Sequence, residues 1–221
     1  MTRSKMMIAA LAMAGLLTVS SAAQASLLAP GQTTTPADGT GSLTNDVLLA
    51  TISGNGLVSQ LGTFTIDYVS NVYRNTVTNG LDFTYLVTNH TESTASISAT
   101  GHANFATNLV IDARYAPPGT FGGGTHSPSG TNRDDTPGTG ITFSYSGTSS
   151  INPGQVSTLE IIMTNATNYT SGFYSVLAGG DSRAVRAFEP GVAVPEPATV
   201  LSLLVAAPVI GLGLARRRRT V

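Results

Sequence analysis

Apolar and polar positions alternate through the middle of the chain with the two-residue period of extended strands. In LDFTYLVT (81–88), Leu81, Phe83, Tyr85 and Val87 fall on one face, and Asp82, Thr84 and Thr88 on the other. VLLATI (47–52), TFTIDYV (63–69) and NVYRN (71–75) are rich in β-branched and aromatic residues. Asn79-Gly80 is a tight-turn dipeptide that favours a hairpin between 81–88 and the strand before it. Further strands are expected at ASISAT (95–100), NLVIDARY (108–115), ITFSYS (141–146), STLEIIMT (157–164), FYSVLA (173–178) and AVRAF (184–188). No internal segment keeps a 3.6-residue period between caps. Short strands separated by Gly, Asn and Pro therefore predict an all-β fold, an antiparallel β-sandwich over residues 43–189. Residues 26–42, rich in Thr, Gly and Pro, read as a leader that is flexible or lies along an edge. The connection 116–140 is long for a compact domain, which marks it as functional or mobile.

The two ends break this pattern. At the N-terminus, Arg3 and Lys5 precede an apolar run from Met6 to Val19, and Ala23-Gln24-Ala25 forms a small-x-small box. That order predicts a signal helix in residues 1–25, handled by Sec export and signal peptidase, with cleavage after Ala25. A plain anchor helix fits less well, because the run is short and a cleavage box follows it. At the C-terminus, residues 198–215 carry no charge. Eighteen helical residues cover about 27 Å, close to a hydrocarbon core, so one transmembrane helix is expected. Arg216, Arg217, Arg218 and Arg219 follow at once and hold that end in the cytoplasm, leaving the body outside. Ahead of the span, after a linker at 190–194, stands Pro195-Glu196-Pro197. Its prolines fix φ and lack N–H donors, so this stretch stays extended, in a form that a processing enzyme can grip.

The order of these three parts resembles the PEP-CTERM sorting signal of exported bacterial proteins, a signature also labelled an ice-binding protein C-terminal domain. The likeness covers residues 195–221 and describes the tail, not the body. It implies recognition by an exosortase, a membrane-embedded processing enzyme found mostly in bacteria that make exopolysaccharide. The body is also similar to exported PEP-CTERM proteins with an NGLDF-type strand, an INPG turn and a TNATNYT stretch, here Asn79 to Phe83, Ile151 to Gly154 and Asn165 to Thr170. Those motifs imply a shared sandwich and no activity.

Charge and composition narrow the partners. Between residues 26 and 194 there are five arginines, no lysine and eleven acids, a net charge of −6. Such a body repels phosphate backbones, so nucleic acid is not an expected partner. The chain has no cysteine, which excludes disulfides, thiolate metal ligands and thiol nucleophiles.

Candidate chemistry is sparse. His90, His102 and His126 are scattered over expected turns and loops without metal-ligand spacing. Serines abound, but no G-x-S-x-G elbow is present. Asp134-Asp135 reads as a solvated turn rather than a catalytic pair. Calcium is the one cofactor with any support, because Asp38, Asp46, Asp134, Asp135 and Asp181 lie near glycines in expected loops; none has a known calcium-loop spacing. The sequons at Asn89, Asn165 and Asn168 read as turns and strand ends. Thr-x-Thr pairs at 33–35, 63–65 and 76–78 lack the constant spacing that a flat ice-binding face needs.

The leading expectation is an exported, non-enzymatic protein of the cell surface or matrix. It would be processed at Pro195, Glu196 and Pro197, need no cofactor, and be structural or adhesive within exopolysaccharide. The alternative is a carbohydrate- or calcium-binding module of the same fold. There, Tyr68, Tyr73, Tyr85 and Tyr145 would line a sheet face and stack on sugars. Exposed, coplanar tyrosines favour the alternative, and buried ones the first reading. An enzyme comes third and requires a pocket with converging acids or a His–Asp pair.

Overall fold

A computed structural model describes residues 27–39 and 43–191. The expected signal helix, transmembrane helix and sorting motif lie outside these residues, with Ala23, Ala25, Pro195, Glu196, Pro197 and Arg216 to Arg219. Among the described residues, no helix is long and apolar enough to cross a membrane.

The strands are β1 (Thr33–Thr34), β2 (Ala37–Asp38), β3 (Val47–Val58), β4 (Thr65–Arg74), β5 (Leu81–Asn89) and β6 (Ala99–His102), followed by β7 (Ile111–Tyr115), β8 (Gly130–Arg133), β9 (Ile141–Ser144), β10 (Glu160–Thr164), β11 (Tyr169–Ala178) and β12 (Asp181–Pro190). They form two six-stranded sheets, ordered β2-β7-β10-β5-β4-β3 and β1-β8-β9-β6-β11-β12. Every pairing between these strands is antiparallel except β2 with β7, which is parallel, so the first sheet is mixed. The fold is all-β, as the alternation predicts. One shared core joins the sheets: Ile66, Phe83, Val87 and Ile162 from the first meet Phe143, Tyr174, Val176 and Ala187 from the second.

Polar interruptions hid the true length of several strands. The expected strands at 63–69 and 71–75 are one strand, β4, through which Ile66, Tyr68, Ser70 and Val72 all point inward. Ser70 is fully buried, and its hydroxyl accepts the Phe188 N–H at 3.2 Å across the sandwich. β3 runs on past Ile52 because Gly54 and Gly56 accommodate a register shift, and the Gly56 N–H donates to the Asp67 carboxylate. The hairpin at Asn79-Gly80 forms as expected, although its turn is longer than two residues. Asn75 Oδ1 accepts from the Val77 and Thr78 N–H groups, and Asn79 takes a positive φ.

Two segments are more ordered than their composition suggests. Of the two expectations for the leader, its described part takes the edge-lying one, with β1 on β8 and β2 on β7. The connection 116–140 contains β8, whose Arg133 is 1% exposed. That guanidinium donates to the carbonyls of Leu28, Phe105, Ala106, Leu109 and Gly138. Burial lowers its pKa.

The polar face of β5 is not a solvent face. Asp82 and Thr84 are as buried as their inward neighbours. A second apolar cluster of Leu43, Ala116, Leu159 and Ile161 covers the outside of this sheet, with Tyr73, Leu86 and Met163 packed against it.

Candidate functional site

Two places gather polar groups. The first lies between the sheets. In β10, Glu160 is in phase with inward-facing Ile162, so its side chain enters the core. Its Oε1 accepts from the Thr100 hydroxyl at 2.5 Å and the Tyr145 hydroxyl at 2.7 Å, and its Oε2 lies 3.0 Å from His102 Nε2. The His102 ring packs 4.1 Å from the Tyr85 ring, stacks on Tyr174 at 5.1 Å, and meets Phe143 edge-on. Burial, and after it the Glu160 charge, pushes the hydroxyls of Tyr85, Tyr145 and Tyr174 well above the usual tyrosine range. Glu160 is wholly inaccessible and His102 is 4% exposed. No substrate reaches this cluster as it stands. Its geometry is that of a clamp between sheets.

The second place is a groove of about 320 Å³ at one end of the sandwich, lined by Leu27, Thr78, Asp82, Val110, Met163 and Thr167 among others. Asp82 is its ionisable floor. Burial raises this carboxyl to about 7; donation from Asn75 works against the rise, and the Asp46 carboxyl adds to it. Across Met163, Asp112 is held by the Arg114 guanidinium at 2.6 and 3.0 Å. Chemically, the groove offers one carboxyl that gains or loses a proton near neutrality.

The remaining sequence candidates are dispersed. Asp181 caps the loop between β3 and β4, accepting from the Ser59 and Thr63 hydroxyls and from the Leu61 and Thr63 N–H groups. Burial alone would raise its pKa, but those donors override it and hold the carboxylate well below its ordinary value. Asp134 and Asp135 lie between β8 and β9, Asp38 on β2, and Asp46 beside Asp82. The structure does not bring these five acids together. Among the described residues, no group of three or more His, Cys, Asp or Glu is arranged to hold a metal ion.

The expectation that all three histidines occupy turns or loops needs correction. His102 ends β6 inside the core, where its ring fills a space between aromatic neighbours. His90 does follow a strand, and it bridges Asp67 at 2.7 Å and Glu92 at 2.8 Å. The tyrosines are placed decisively. Tyr68, Tyr85 and Tyr145 are buried in the shared core and Tyr73 packs in the outer cluster, so the four do not form an exposed stacking face. Asn89 is a buried strand end whose amide donates to the Ala95 and Ile151 carbonyls. Sequence reasoning missed Glu160 and Asp82. In STLEIIMT the apolar alternation falls on Leu159, Ile161 and Met163, and Glu160 shares its face with Thr158, Thr164 and a single apolar residue, Ile162, which is the one sign of its burial that the sequence carries.

Comparison with protein-family models, curated proteins and solved structures finds no match to this chain.

Proposed function

We propose that the protein is an exported, non-enzymatic component of the cell surface or extracellular matrix, structural or adhesive in an exopolysaccharide setting. Its C-terminal tail is its sorting device. Sec export and signal peptidase deliver it, the bilayer holds residues 198–215 with Arg216 to Arg219 inside, and an exosortase-type enzyme acts at Pro195, Glu196 and Pro197. The observation that carries this reading is the order of extended Pro-Glu-Pro, uncharged membrane-length run and arginine cluster. The body supports a structural role in two ways. Tyr68, Tyr73, Tyr85 and Tyr145 are spent on packing, so the sugar-stacking face of the alternative reading has lost its basis. The interior His102–Glu160 pair is sealed from solvent, and the His90–Asp67 pair, which is tied to Glu92 as well, lies outside the groove that holds Asp82.

Fractionation and intact-mass analysis of the native protein, in a host with and without its processing enzyme, test the reading. The expected result is a surface or matrix product ending near Pro195 in the first host, and a full-length membrane form in the second. Full-length protein in the inner membrane of both hosts would make the tail an ordinary anchor.

A further inference from the structure

The chain leaves the second sheet from β12 at Pro190, and the Gly191 N–H is still held by the Asn168 carbonyl. That exit lies at a defined end of the sandwich. Tyr169 pairs with Pro190, Arg74 donates to the Thr167 carbonyl, and Val47 and Leu81 both pair with Arg74. The Val110 N–H donates to Asn165 Oδ1, and Leu27 bridges to Asp112. The tip of the β4–β5 turn and the starts of β3, β7 and β11 therefore share one end with the exit.

Apolar side chains stand bare there. Val77, at the tip of the turn, is 90% exposed, and Leu27, Val47, Leu48, Val110 and Tyr169 are also exposed. Bare apolar residues do not by themselves distinguish this end, since Val58, Leu61 and Leu177 are exposed at the other. The distinction comes from the exit. Between Gly191 and the uncharged run that starts at 198 lie six residues, VAVPEP. Fully extended, they reach about 20 Å at most. A chain whose residues 198–215 sit in a bilayer thus holds this end, and not the opposite one, against the lipid surface.

We infer that the exit end of the sandwich is a membrane-docking surface. Val77, Val110 and Leu48 enter the headgroup region of the outer leaflet and present the exit strand to a membrane-embedded processing enzyme. This rests on the tail being membrane-inserted. The chemistry fits zwitterionic lipid. The apolar residues run along the first sheet from Val47 and Leu48 on β3, across Val77 in the β4–β5 turn, to Val110 ahead of β7, and the acidic Asp134-Asp135 loop between β8 and β9 lies on the β7 side, where it meets Gly31. Docking therefore draws on apolar burial rather than on charge, since carboxylates at this end gain nothing from anionic headgroups.

The absence of cysteine gives a clean test. The full-length chain, reconstituted in phosphatidylcholine vesicles containing a nitroxide-labelled lipid, carries one fluorophore at a time through Val77→Cys, Val110→Cys, Leu61→Cys or Leu177→Cys. Flotation with the vesicles reads the tail, and quenching reads the docking. The inference expects flotation of all four, with quenching at 77 and 110 about threefold or more above that at 61 and 177. Adding Leu48→Asp to Val77→Asp should then lower the quenching at 110 without affecting flotation. Flotation with equally weak quenching at both ends overturns the docking and leaves the tail reading intact. Failure to float removes the tail reading, and the docking with it. Shielding of 77 and 110 without quenching, accompanied by energy transfer between chains, would assign this end to a second copy and overturn the inference.

Discussion

Two ionisable residues make stability fall as pH rises, for different physical reasons: Asp82 through its burial and His90 through its acidic partners. Asp82 rises from 3.8 to about 7 on folding because its burial outweighs the Asn75 hydrogen bond. The folded state therefore retains a proton that the unfolded state gives up, and stability falls as pH climbs from about 4 to about 7. Asp82→Asn removes that loss. The variant should match the wild type near pH 4 and exceed it above pH 7 by roughly 1 to 3 kcal/mol, with each pKa unit worth about 1.4 kcal/mol. Urea midpoints across that range measure the difference. His90 acts through attraction. The Asp67 and Glu92 hydrogen bonds raise its pKa against a small burial effect. Its stabilisation is complete below the unfolded value near 6.5 and disappears as pH rises through the folded value. Asp67 responds at the acid end. Burial raises its pKa, but donation from Gly56 and His90 prevails, so its contribution is lost as pH falls through the lowered value. His90→Gln should flatten the melting-temperature profile above about pH 7 while leaving the Asp82 slope between about pH 4 and 7 in place. An unchanged profile above about pH 7 would mean that the His90 bridges have no energetic consequence.

At the scale of elements, the 116–129 stretch shows how an apparent loop becomes part of the fold. Its backbone lies along the strand-like segment before β10. The Gly124 N–H donates to the Ser157 carbonyl at 2.7 Å, the Thr158 N–H to the His126 carbonyl, and the Ala116 N–H to the Leu159 carbonyl. A Cβ on Gly124 would collide with the Val156 backbone carbonyl, which has no rotamer by which to retreat. Gly124→Ala should therefore cost about 2 kcal/mol or more and raise amide exchange at Ser157 and Thr158, visible by NMR or mass spectrometry. Elements of this kind are poorly legible in sequence, because backbone-to-backbone approach leaves only a glycine behind, and glycine also marks ordinary turns. Strands with a simple apolar period were legible: β5 and β9 fall almost where the alternation puts them. Longer strands were cut short where a polar inward residue found a partner across the sandwich, as Ser70 did with Phe188. The candidate sites were less legible still. Glu160 and His102 come from strands nearly sixty residues apart, and no local spacing records their meeting.

On the scale of the whole molecule, the leader closes both sheets at once. β1 adds an edge to one sheet through β8, and β2 adds an edge to the other through β7, with two residues, Thr35 and Pro36, between them tying the two. Ahead of these strands, Leu28 is 1% exposed in the shared core, and its carbonyl accepts from the buried Arg133 guanidinium. A body beginning at residue 43 would lose Leu28 from the core, deprive Arg133 of one acceptor, and leave the edges of β7 and β8 unpaired. Open edges are templates for pairing between chains. Two variants separate packing from edge protection. Leu28→Ala keeps both short strands and should lower stability by about 2 to 5 kcal/mol, the cost of a large-to-small change in a core. Deleting residues 26–42 should lower it at least as far and also produce concentration-dependent aggregation, read by light scattering, that the point variant lacks. If the shortened chain stays monodisperse, edge protection is not a task of the leader, and its contribution reduces to the Leu28 contact and the carbonyl it lends to Arg133.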